Sequence, residues 1–226
     1  MGLFEDDEEY KKERAKMRMR RADMMGKWVM VMFRLQIAAI IGGVLSSDLF
    51  EKVPIIYLLG ELISFGIMIA NSVILIRLKE VEDEFGKAGI GYLVCGCSGI
   101  LIALLTLGGA GVLATLVTLV MAFVALKANY DECTGYEVSL RDINKELSEQ
   151  WMVQWKLELI CTLSTWGIAL ITLLGTLFQS VGFLFLCLIL LLIAVVATFC
   201  VGIRRLIYLH RTAVCFQNYV PDEELQ

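Results

Sequence analysis

Residues 88–126 form a run of 39 positions without one Asp, Glu, Lys or Arg. As a single α-helix this run would be about 58 Å long, nearly twice the roughly 30 Å hydrocarbon core of a bilayer. Gly108-Gly109-Ala110-Gly111 sits near its middle. Glycine supplies the positive φ that a tight turn needs, so the run is expected to fold back on itself as two membrane-spanning helices.

The rest of the chain repeats the theme. Spans are expected at residues 28–47, 53–76, 88–107, 110–126, 156–176 and 181–203. Of all residues, 58% are hydrophobic and the mean hydropathy is +0.72. Soluble domains run about 45–50% apolar, so the excess points to a multi-pass protein of the bilayer. The expected fold class is all-α: a six-helix membrane bundle in three hairpins. Its organisation is a charged N-terminal segment at 1–27, a membrane domain at 28–203 and a tail at 204–226. The first apolar run lacks the short core and small-residue cleavage site of a secretory signal, so it is expected to stay as a start-transfer helix.

The bases set the orientation. With six spans and the N-terminus inside, 18 of the 20 Lys and Arg residues fall on one side, and only Lys52 falls on the other. Arg34 lies within the first span. Five spans would divide the bases 11 to 8. Cytoplasmic loops retain Lys and Arg, which selects six spans with both termini cytoplasmic in the cell membrane. None of the seven cysteines (Cys95, Cys97, Cys133, Cys161, Cys187, Cys200, Cys215) falls in an expected external loop, so no disulfide framework is implied.

Small or polar residues recur at spacings of three and four. Examples are Gln36, Ala39, Gly43 and Ser46 in the first span, and Glu158, Thr162, Thr165, Ala169 and Thr172 in the fifth. This spacing gathers each set on one helix face. Small residues and hydroxyl hydrogen bonds can hold helices together where lipid supplies no hydrophobic drive, so such faces are expected to be seams. The same faces could line a polar path. Ionisable groups in a span usually face the bundle interior or water. Glu61, Ser64 and Asn71 form a polar stripe on the second span, and Arg34 and Gln36 lie on the first. With Thr162 and Thr165 they make up the candidate solute or ion pathway. Lys156 and Glu158 are expected to be solvated at the inner interface. Phe33-Arg34-Leu35-Gln36-Ile37 and Trp155-Lys156-Leu157-Glu158-Leu159 align in type, a faint sign of internal duplication.

Outside the spans, residues 139–151 are expected to form an amphipathic helix capped by Ser139. Leu140, Ile143, Leu147 and Trp151 would be its apolar face, either closing the bundle or docking a protein partner. The acidic group Glu80, Glu82, Asp83 and Glu84 reads as a solvated loop. Residues 5–9 are acidic and 11–21 basic, an order that suits a helix dipole and anionic headgroups. Nucleic-acid binding has no motif here.

Catalytic chemistry has little material. The single histidine, His210, cannot form a zinc site with scattered cysteines, and no nucleotide-binding glycine motif is present. No enzyme activity, metal or cofactor is expected. The expected function is handling of a small solute or ion, alone or as a transporter subunit, with the lipid bilayer as the first partner. The alternative is a non-catalytic regulatory, immunity-type or interaction protein acting through its cytoplasmic helices.

Overall fold

The computed structural model describes residues 2–47, 53–177 and 181–220. Six helices follow one another: α1 (Gly2–Leu45), α2 (Pro54–Leu78), α3 (Asp83–Leu107), α4 (Gly111–Leu140), α5 (Lys145–Leu177) and α6 (Val181–Gln217). Each is long and apolar enough to cross a membrane. The expected connection at 48–52 with Lys52, the expected connection at 177–180 apart from Leu177, and the tail from Pro221 lie outside the described residues.

The helix boundaries have local causes. Pro54 opens α2, where its fixed φ suits a first turn and its missing N–H costs nothing. Asp83 and Glu84 lie in the first turn of α3, where negative charge meets the positive end of the helix dipole. The expected glycine turn is present between α3 and α4. Gly109 has φ +77°, Ala110 N–H donates to Leu105 O at 2.9 Å, and Gly109 N–H donates to Thr106 O at 3.1 Å. That pair of bonds around a left-handed glycine is a Schellman stop.

Each helix packs on its neighbours in sequence, and α6 returns to pack on α1. The six helices therefore close into a ring. At the end of the ring that carries α1's start and α6's finish, Gln217 Nε2 donates to Gly26 O at 3.3 Å. We call this the terminal end and the opposite one the hairpin end. Glycines set the closest approaches. A Cβ on Gly60 would lie 2.5 Å from the backbone N of Ser46, and one on Gly89 would lie 2.7 Å from Ser72 O. Small residues thus let backbones meet, as the seams suggested. The hydroxyls behave otherwise. Thr106, Thr115, Thr118, Thr165 and Thr172 each donate to the carbonyl four residues earlier in their own helix. A helix offers that acceptor at fixed short range, so it outcompetes a neighbour across a seam.

The core lies towards the terminal end. Phe85, Tyr136 and Trp151 are fully buried and Tyr208 nearly so. Tyr136 stacks on Trp151 with ring centroids 4.2 Å apart, and Phe85 meets the edge of Tyr136 at 5.0 Å. Trp151 Nε1 donates to Thr212 Oγ1 at 3.0 Å, so the indole is both packed and satisfied. Beyond Trp155, α5 has no buried residue before Leu173. Bases cover two further rings and also Tyr208 of this core. Arg77 covers Trp28 at 5.3 Å, Lys127 covers Tyr130 at 4.9 Å, and Arg204 covers Tyr208 at 5.0 Å. Aromatic rings paired with bases are the side chains that settle at a membrane–water interface.

The expected separate helix at 139–151 is not formed. α4 continues to Leu140, the chain turns, and α5 begins at Lys145. The cap is Asn144, whose Oδ1 accepts from Leu147 N–H at 3.0 Å, whereas the Ser139 hydroxyl is buried without a partner. The apolar spacing across residues 140–151 spans the end of one helix and the start of the next, both facing the same core.

Candidate functional site

Arg205 is the centre of the polar interior. It projects from α6 and meets α4 and α5 together. Its Nη1 donates to Asn129 Oδ1 at 2.7 Å and to Glu158 Oε2 at 2.8 Å, and its Nη2 donates to Glu132 Oε2. The two carboxylates are held from other sides as well. Tyr92 of α3 donates its hydroxyl proton to Glu132 Oε2 at 2.9 Å. Glu158 accepts from Asn129 Nδ2 and, at 2.7 Å, from Gln154 Nε2. Gln154 Nε2 also donates to Val201 O of α6 at 2.9 Å. Four helices of the ring are thus tied at one depth by charge-assisted bonds, the stronger kind. The Glu132 side chain is 3% exposed, Glu158 15% and Arg205 19%. A buried guanidinium and its carboxylates are tolerated only when paired and hydrogen-bonded.

The network floors a cavity of about 370 Å³ inside the ring. Its polar lining is Gln36, Ser64, Asn71, Tyr92, Glu132 and Arg205. Its apolar wall comes from Met32 and Ala39 of α1 and Ile67, Met68 and Leu75 of α2. The depth follows from helix rise. Ser64 is 13 residues before Arg77, so the lining extends to about 20 Å from that base along α2. On its terminal side lies the aromatic core. Tyr136 lies one turn past Glu132, and Tyr208 three residues past Arg205. Both glutamate bonds of Glu132 fall on Oε2. Asn71 Oδ1 is buried and has no hydrogen-bond partner.

The structure gathers some of the sequence candidates and separates others. Gln36, Ser64 and Asn71 line one cavity. Glu61 and Arg34 are exposed and are not part of its lining. Thr162 and Thr165 are half-buried on α5, which contributes nothing to the lining. Leu140, Leu147 and Trp151 are buried, with Ile143 packed against them, so this face belongs to the protein's own core. Glu158, expected to be solvated, is an anchor of the network, while Lys156 is exposed. Among the described residues, no three His, Cys, Asp or Glu side chains come together as metal ligands would.

Sequence reasoning missed Arg205 and Glu132 because both lie just beyond the expected spans. One signal was available. Glu132 follows the last residue of the uncharged run by only six positions, and Arg205 follows Ile203 by two. Helices that continue without a break carry such charges into the bundle. No family model, curated protein or solved structure matches this chain. The six apolar helices are compatible with an integral, multi-pass membrane protein.

Replacing Arg205 with Met should leave two buried carboxylates without their cation. Removing one partner of a buried pair costs about 3–5 kcal/mol. Unfolding of the purified protein in mild detergent by added SDS should show a loss of that order. The double change Arg205→Met with Glu132→Gln should cost less than the two single changes together. A loss under about 1 kcal/mol for Arg205→Met, the range of surface pairs, would contradict the network's role.

Proposed function

We propose that this protein is a non-catalytic membrane protein that binds a small polar solute inside its helix ring and passes it across the bilayer, alone or as a transporter subunit. The observation that carries the reading is the cavity above Arg205 and Glu132. It brings polar groups from five helices to one space deep in an apolar bundle. Ionisable groups at such depth are costly, and they commonly mark substrate or ion pathways. The ring needs the Arg205 network for packing, but it does not need Asn71 with a bare acceptor or Gln36 turned to the same space. A bound solute would give those groups partners.

The alternative, an interaction protein docking through Leu140, Ile143, Leu147 and Trp151, has less support, because those side chains are occupied by the protein's own core. The proposed path uses spans one and two with the inner parts of α3, α4 and α6, in place of the fifth-span threonines.

Flux into proteoliposomes tests the reading. For a transported solute from a panel of small amines, amides, acids and ions, Asn71→Leu and Gln36→Leu should each lower uptake about tenfold or more. A lost hydrogen bond to a charged group is worth roughly 1.5–3 kcal/mol. Uptake no greater than in empty liposomes across the whole panel would defeat the proposal.

The terminal end is proposed to face the cytoplasm, because it carries 18 of the 20 bases. A cysteine placed at Gly109, in a background free of other cysteines, should then react with a membrane-impermeant maleimide from outside intact cells. Reaction only after the cells are opened would reverse the orientation.

A further inference from the structure

The cavity's chemistry carries the solute reading one step further, on which this inference rests. We propose that the ligand is a small organic ammonium compound, a primary amine with a short hydrocarbon body.

The network holds one guanidinium against two carboxylates, so with all three ionised it carries one surplus negative charge. Three of the five Arg205 N–H groups already donate inside the network. Both Arg205 terminal nitrogens donate within the network, and the Tyr92 proton goes to Glu132. The lining keeps acceptor capacity beside the amide donors of Gln36 and Asn71. Tyr92 and Arg205 both bond Glu132 through Oε2, Tyr92 Oη keeps its lone pairs, and Asn71 Oδ1 is buried and unpartnered. An anion would meet the surplus negative charge of the network. A cation with N–H groups would neutralise that charge and give protons to these acceptors.

The shape decides between a bare ion and an organic cation. Ser64 and Asn71 are seven residues apart, about 10 Å along α2, so the polar groups are spread and do not converge as a coordination shell. Between and below them stand Ile67, Met68 and Leu75, with Met32 of α1 facing the same space. An apolar wall beside a polar floor fits an ammonium head with a short aliphatic body. The cavity of about 370 Å³ holds a molecule of that kind, since a single water occupies roughly 30 Å³ of liquid volume.

Isothermal titration of the full-length protein in nanodiscs, against empty nanodiscs, provides the test. The probes are n-butylammonium, n-butanol, butyrate, Na⁺ and K⁺ at pH 7. Butylammonium should bind saturably, with n-butanol and butyrate at least about tenfold weaker. Asn71→Leu should weaken butylammonium about tenfold at an unchanged unfolding midpoint. Gly66→Ala, whose added Cβ meets nothing within 4 Å, should leave binding as it is. Butanol, butyrate, Na⁺ or K⁺ binding as tightly as butylammonium, and losing affinity in Asn71→Leu, would overturn the amine assignment while leaving a solute cavity. Binding of none of the five probes would also overturn it, and the solute reading would then stand or fall on the uptake panel.

Discussion

Arg205 holds the interior of this ring at a single level, and the arrangement of the other polar groups follows from it. Its guanidinium reaches Glu132 and Asn129 on α4 and Glu158 on α5, while Glu132 brings in Tyr92 from α3. In an apolar bundle an unpaired charge is so unfavourable that each of these groups specifies the position of the next. The fan shape of a guanidinium suits this task, because it offers several donors in fixed directions. With α3 to α6 tied at one depth, α1 and α2 complete the ring, and the space above the network becomes the cavity.

Packing divides the molecule along the same line. Towards the terminal end, Phe85, Tyr136, Trp151 and Tyr208 pack into the core of the ring. Towards the hairpin end, buried residues are sparse and large aliphatic side chains such as Leu107, Val112 and Leu116 are exposed, as suits contact with lipid. Glycine governs where helices come closest, at Gly60 against α1 and at Gly89 against α2. The cavity therefore lies on the hairpin side of the aromatic core.

Much of this was legible in the sequence, for reasons that can be stated residue by residue. The uncharged run at 88–126 exceeds a bilayer's thickness, and its glycines are where the turn occurs. Gln36, Ser64 and Asn71 stood out as polar groups in apolar runs, and they line one cavity. The charged network did not stand out. A span rule counts the hydrocarbon thickness, whereas α4 runs 14 residues past Leu126 and α6 runs 14 past Ile203. Glu132 and Arg205 lie in those extensions, where a charge reads as solvated. Glu61 and Arg34 show the converse. They are charged within expected spans, yet they lie outside the cavity, because linear position gives depth but not the face that α1 and α2 turn to each other. The turn at 141–144 was hidden because Leu140 and Leu147 keep helical spacing across it by facing the same core.

The central claim is that a polar, water-accessible cavity reaches deep into the ring beside α2. Cysteine accessibility measures this directly, since only a thiol that can ionise in water reacts rapidly with a methanethiosulfonate. In a cysteine-free background in membranes, Ser64→Cys should react with the ethylammonium reagent, while Ile69→Cys, on the exposed apolar surface of α2, should not. Equal inertness of the two positions would contradict the account.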